Sequence, residues 1–220
     1  MTNAKISFYS PRFVIVSLLL FLQSVLPAYC ETNLIPNGNF ENGKLMPDHW
    51  GSNAKKDPTI QVYESAKGRV IEGKNLLWNK TESPTGRCIE FRLNEPAKQW
   101  TSIAATSGME YESEYIPCTY NQKYKISIDI KSVGINGKGN GPEVKMFVKA
   151  YRYDKKKMES FEVYRAPMHC YPENHGNWSM CSRTFKIKVS TAQKMKVVVY
   201  VKWPKGVVYF DNVRLIETNK

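Results

Sequence analysis

The chain has 220 residues, 42% of them hydrophobic and 24% charged, with a formal net charge of +12. This balance excludes a collagen-like or disordered chain and leaves enough apolar material for a proper core. Strong basicity speaks of polar or anionic partners rather than of fold. The cations are scattered, with Lys155-Lys156-Lys157 the only run, which disfavours nucleic acid as the partner.

The first thirty residues form a unit of their own. Lys5 and Arg12 are the only charges in Met1–Cys30, and FVIVSLLLFL (Phe13–Leu22) is an apolar run interrupted only by Ser17. Ala28 and Cys30 supply small residues at minus three and minus one of a cut before Glu31, the order of a secretory signal peptide. The run is shorter than the roughly 20 residues that span a bilayer, so a permanent transmembrane span is not expected. The expected organisation is a signal peptide at 1–30 and a single domain at 31–220, exported to an extracellular or periplasmic space.

Without Cys30, the chain keeps Cys88, Cys118, Cys170 and Cys181, an even set that in an exported protein suggests two disulfides. Three connectivities are open. Cys170–Cys181, closing the loop CYPENHGNWSMC, is favoured and leaves Cys88–Cys118. His169 and His175 lie nearby, but the spacing is not that of a zinc finger, so disulfides are preferred over zinc.

Along the chain the recurring signal is alternation at period two, broken by Gly, Pro and Asn turns. Thr59–Tyr63, Cys88–Leu93, Trp100–Ala105 and Lys123–Lys131 read as strands. So do Val144–Tyr153, Phe161–Tyr164, Thr184–Val189, Lys196–Trp203 and Val207–Ile216. Many short strands with no helix between them predict an all-β, antiparallel β-sandwich or jelly roll.

The stretch Asn33–Trp50, NLIPNGNFENGKLMPDHW, is dense in turn residues. Asn37-Gly38 and Asn42-Gly43 suit positive φ, and Pro36 and Pro47 stiffen the flanks. Glu41 sits among these turns, where free carbonyls could join it around a hard cation such as calcium; an ordered loop without an ion is the other reading.

The two ends, NLIPNGNFENG…PDHW and VYFDNVRLIE, resemble those of the jelly-roll carbohydrate-binding modules of families four, nine and twenty-two, in the galactose-binding-domain-like group. CIEFRL after Gly86, YIPCTYNQKYKISIDIKS, a strand ending in YRYD, and NWSMCSRTF follow in the same order, so the similarity spans Asn33–Glu217. The resemblance implies a jelly roll and a structural calcium held by Glu41 and Asp211 where the first loop meets the last strand. It also implies structural roles for Trp50 and Trp178, and carbohydrate as ligand.

In modules of this kind aromatic rings stack on sugar faces while polar groups hold hydroxyls. The outward positions of the central strands are expected to line such a face: Glu90, Arg92, Ser127, Asp129, Lys131, Lys145, Phe147, Lys149, Tyr151, Tyr200 and Lys202. Arg92, Asp129, Lys145, Phe147, Lys149, Tyr151 and Tyr200 are the candidate ligand residues, and their cations suggest an anionic polysaccharide. A plain solvent-facing sheet would alternate in the same way. Trp78, Trp100, Tyr111, Tyr115 and Trp203 offer a second, loop-borne platform.

No nucleophile-elbow, zinc-protease or phosphate-loop motif occurs, and His49, His169 and His175 fall in predicted loops. A non-catalytic binder is therefore expected over an enzyme. The alternative is an accessory subunit whose basic face docks an acidic protein. Asn79-Lys80-Thr81 and Asn177-Trp178-Ser179 match the N-glycosylation acceptor pattern.

Overall fold

The structure, a computed structural model, describes residues 31–52, 63–65, 68–72, 76–92, 109–133, 143–170, 176–202 and 206–218. The expected signal peptide, the strand expected at Trp100–Ala105, Trp203 and His175 lie outside these.

Thirteen strands follow one another with no helix among the described residues. They are β1 (Trp50–Ser52), β2 (Tyr63–Ser65), β3 (Gly68–Glu72), β4 (Leu76–Asn79), β5 (Cys88–Arg92), β6 (Met109–Ser113) and β7 (Ile116–Pro117). Then come β8 (Lys123–Val133), β9 (Glu143–Asp154), β10 (Glu159–Cys170), β11 (Ser179–Lys186), β12 (Lys194–Lys202) and β13 (Val207–Glu217). A six-stranded sheet runs β1-β6-β12-β9-β10, with β7 also on β12, and a seven-stranded sheet runs β11-β8-β13-β5-β4-β3-β2. Every pairing is antiparallel. The fold is an antiparallel β-sandwich of the jelly-roll kind.

Alternation builds the core as expected. Tyr124, Ile126, Ile128 and Ile130 of β8 face Val144, Met146, Val148 and Ala150 of β9 and Met195, Val197, Val199 and Val201 of β12 in one apolar cluster. Phe40, Trp50 and Tyr111 close one side, the indole stacked on Tyr111 at 5.9 Å and tilted against Phe40 at 4.8 Å. Burying such rings is worth about 1.5–3 kcal/mol each, and this drives two-sheet closure.

Several elements differ from expectation. β10 runs to Cys170 rather than ending at Tyr164, because its partner β9 is long and a bulge between Glu162 and Tyr164 keeps them in register. β11 begins at Ser179, before the alternating TFKIKV that marked it, since pairing with β8 sets its start. β4, Leu76–Asn79, is buried throughout and shows no alternation to read. Trp78 and Tyr111, expected on loops, are both core residues.

The cysteines also differ from expectation: all four are free thiols. Cys88 points to the outer layer of the seven-stranded sheet, near Asp211 and Glu90, and burial pushes its thiol pKa up. Cys118 follows β7 of the other sheet and packs beside the main core, so these two face different layers. Cys170 and Cys181 are neighbours whose interaction raises the pKa of Cys170 and lowers that of Cys181, but they are not bridged, and their Sγ atoms donate to the Met168 and His169 carbonyls.

Candidate functional site

Two places gather polar chemistry: the junction of the chain ends, and the outer face of the six-stranded sheet.

At the junction, Asn33 works as a clamp. Its Oδ1 accepts from the backbone N–H groups of Ile35 (3.1 Å) and Leu215 (2.9 Å), and its Nδ2 donates to the Val213 carbonyl at 3.0 Å. Leu34 N–H bonds the Leu215 carbonyl, and Val213 N–H bonds that of Gly38, each at 2.8 Å. Asn37, at φ 51°, donates from its amide to the carbonyls of Asn42 and Asp48, so it holds the whole turn closed. The Trp50 and Trp78 indoles donate to the carbonyls of Asn37 and Phe40, at 3.1 and 2.7 Å. The first and last segments are thus one clasp.

Glu41 and Asp211 lie within that clasp. The Arg87 N–H donates to Glu41 Oε1 at 2.6 Å, and Gly86 sits so close that a Cβ there would meet the carboxylate oxygens at 2.3 and 2.5 Å. Asp211 is wholly buried and accepts from Ser83 Oγ (2.6 Å), Thr85 Oγ1 (3.2 Å) and its neighbour Asn212 N–H (2.6 Å). A bulge after Asp211, with Asn212 at φ 50°, turns Val213 into the core. Burial first, then the negative charge of Glu41 among weaker causes, raises the Asp211 pKa to about 6 against its hydrogen bonds. Among the described residues no group of three or more His, Cys, Asp or Glu side chains could hold a metal. The oxygen donors at the clasp are of the type a hard cation takes, with the Ser83 and Thr85 hydroxyls committed to Asp211.

The expected ligand residues fall on two different faces. Arg92 and Asp129 belong to the outer face of the seven-stranded sheet, where Arg92 is bonded to the buried Glu90 and Asp129 accepts from Asn212 Nδ2 at 2.9 Å. Lys131 pairs there with Glu82 at 2.9 Å, and the Trp178 indole donates to the Glu82 carbonyl. Asn79 is buried in the same layer, its amide donating to Glu90 at 2.5 Å and its Oδ1 accepting from Thr81 and Glu82. Of the two glycosylation acceptors, Asn177 is the exposed one.

Lys145, Phe147, Lys149, Tyr151 and Tyr200 share the outer face of the six-stranded sheet, opposite the core. Register puts Glu112, Val198 and Phe147 abreast, then Lys196 and Lys149, then Lys194 and Tyr151. The middle of this face is closed. Phe147, Val198 and Tyr200 form a buried cluster of their own, with the two rings edge to face at 5.5 Å. Lys149 is only 5% exposed and reaches Glu110 at 2.7 Å and Glu112 at 3.7 Å. Lys196 bonds Glu112 at 2.8 Å, and Arg165 grips Glu162 with two bonds of 2.6 and 2.8 Å.

One end of the face is open. Tyr115, 44% exposed, meets half-buried Tyr151 edge-on at 5.3 Å, and Tyr153 is 36% exposed. The Lys194 and Lys196 ammoniums lie 3.7 and 4.8 Å from the centre of the Tyr115 ring. Burial, reinforced by Glu112 and Glu162, raises the Tyr151 pKa, so its hydroxyl stays a neutral donor. Tyr115 and Lys194 are the residues sequence reasoning underweighted. Tyr115 sits in the turn between β6 and β7, and Lys194 opens β12 two residues before the run Lys196–Trp203 that marked it.

No protein-family model matches the sequence, and no curated protein sequence matches it. Solved structures do resemble the fold. The enzymatically active domain of bacteriophage CBA120 tailspike protein 4 matches with a TM-score of 0.50 and 8% identity over 84% of this chain and 21% of that one. An arabinose-bound GH51 α-L-arabinofuranosidase gives 0.50 and 8% over 86% of this chain and 27% of that one. A CBM4 structure gives 0.45 and 13% over 84% of this chain and 99% of that one. The chain therefore spans only 21% and 27% of the first two of these chains. The fold is a jelly-roll β-sandwich; such a scaffold hosts many activities, so function must be argued from the site.

Proposed function

We propose that the chain is an exported, non-catalytic binding module for carbohydrate, with the open end of the outer six-stranded face as its contact surface. The observation that carries the reading is the pairing of exposed Tyr115 with Tyr151 and Tyr153 beside Lys194 and Lys196. Exposed rings give a stacking surface for the C–H face of a pyranose, and ammonium and phenol donors bind hydroxyls. Retention on a panel of immobilised neutral and acidic polysaccharides tests it. Tyr115→Ala should weaken retention about tenfold while leaving the melting temperature in place, as expected for an exposed ring worth roughly 1.5 kcal/mol of contact. Tyr151→Ala should weaken it too. Unchanged retention in both variants would remove this surface from consideration. Docking of an acidic protein is the less favoured reading, because Lys149, Lys196 and Arg165 already have carboxylate partners.

The same reading includes a structural calcium held by Glu41 and Asp211. A cation would offset the cost of two neighbouring carboxylates, one of them buried, and would tie the clasp of the chain ends. Saturating calcium should raise stability by about 2 kcal/mol over a chelated sample, roughly 4–8 °C in melting temperature. Asp211→Asn should abolish the difference. A melting curve that ignores calcium and chelator alike rejects the ion.

A further inference from the structure

We infer that Lys194 marks a subsite for a carboxylate-bearing sugar at the open end of the face; the inference rests on the carbohydrate-binding reading above. The cations of this face are not equivalent. Lys149 is locked between Glu110 and Glu112, Lys196 is held by Glu112, and Arg165 is gripped at two points by Glu162. Lys194 contacts rings instead: its Nζ lies 3.7 Å from the centre of Tyr115 and 6.0 Å from that of Tyr153. Lys194 makes no ion pair with a described carboxylate, and Glu162, which lies across Tyr151 on the same face, is gripped by Arg165. Cation–π contact holds the ammonium in place without neutralising it, so its charge stays available to an incoming anion.

The surroundings specify what kind of anion. Tyr115 and Tyr153 are the two well-exposed rings of this end, and a flat apolar surface beside a fixed cation suits a sugar ring carrying a carboxylate better than a bare inorganic ion. Gln193, exposed next to Lys194, accepts the Tyr153 N–H through Oε1 at 2.9 Å, a bond that leaves its NH2 as a further donor. A uronate carboxylate reaching Lys194 could take that second bond, while its ring lies along a tyrosine. The paired cations in the middle of the face cannot serve a string of charges in the same way. The specificity inferred is therefore for a uronic acid at one position, a side branch or a chain end, and not for a uniformly charged polymer.

The test uses matched gels that differ in the carboxylate: xylan against glucuronoxylan, and fully methyl-esterified polygalacturonate against polygalacturonate. The wild-type chain should hold glucuronoxylan about fivefold more tightly than xylan near 0.15 M salt, the scale of one partly exposed ion pair. Polygalacturonate should gain no more than this single-site factor over its methyl-esterified form. Lys194→Gln should bring the glucuronoxylan-to-xylan ratio to near one, and Lys194→Arg should restore it. Equal retention of both members by the wild type, or a ratio that survives Lys194→Gln, overturns the uronate subsite while leaving carbohydrate binding intact. No retention on any of the four gels overturns the carbohydrate reading and the subsite with it.

Discussion

Gly38→Ala is expected to destabilise the protein by about 3 kcal/mol, a fall of roughly 6–12 °C in melting temperature for a domain of this size. A Cβ on Gly38 would sit 2.0 Å from the Val213 carbonyl oxygen and 3.1 Å from Asn33 Nδ2. Neither neighbour can yield cheaply. The Val213 carbonyl is held by Asn33, and Val213 N–H is bonded back to the Gly38 carbonyl, so moving either strand breaks the clasp. The obstruction is backbone, not a side-chain tip that could swing away. Gly176→Ala is the control: nothing lies within 4 Å of its Cβ position, and its φ of +85° costs only about 1 kcal/mol of left-handed strain. Thermal unfolding of the two variants side by side separates steric blockade from backbone strain. A Gly38→Ala protein that melts with the wild type would mean the clasp is not formed in solution.

That clasp is the part of the molecule most legible in the sequence. Asn-Gly pairs, prolines and a Trp near one end, set against FDNV near the other, announce tight turns and a shared edge before any coordinates. Strand β8 was equally readable, because it has one wetter and one dry side and so alternates. β9, β12 and β13, largely buried on both faces, were marked by their β-branched and aromatic residues instead. β4 escaped because Leu76–Asn79 is buried on both sides, and a strand with two dry faces shows no period. The face that a residue occupies was harder still. Alternation says that Arg92, Asp129 and Tyr151 point away from the core, but not that the first two leave it on the opposite side of the sandwich from the third. Strand order decides that, and it depends on pairings between residues far apart in the chain, such as Tyr200 with Glu110 and Lys145.

The same limit affected the view of the charges. A list of outward residues suggests a basic surface, whereas the structure sets Glu110, Glu112 and Glu162 among the cations and neutralises most of them locally. Phe147 and Tyr200, chosen as sugar-stacking rings, serve as a floor instead. A chain this basic can still present a contact surface whose centre is nearly neutral, and this is why the proposed anion subsite is placed at Lys194.

Lys149→Met tests whether that floor is structural, with an expected loss of about 2–3 kcal/mol. Methionine keeps the length and the apolar stem, so packing against Phe147 and Val198 changes little. What goes is the charge. Glu110 loses its partner at 2.7 Å, and Glu112 keeps only Lys196. Breaking a fully buried pair costs about 3–5 kcal/mol; Glu110 is 22% exposed, and water will soften the penalty toward the lower figure. A second substitution distinguishes charge from shape. Adding Glu110→Gln removes the stranded carboxylate and should recover more than half of the loss, since a neutral amide at a partly wet site costs little. Denaturant unfolding of the single and double variants supplies the measurement, with the m-value held constant as the check that the native state is unchanged. If Lys149→Met alone is as stable as the wild type, the ammonium is not committed to Glu110 and Glu112. It would then be free to join Lys194 in meeting an anion, and the single-position specificity inferred for this face would give way to recognition of a longer acidic chain.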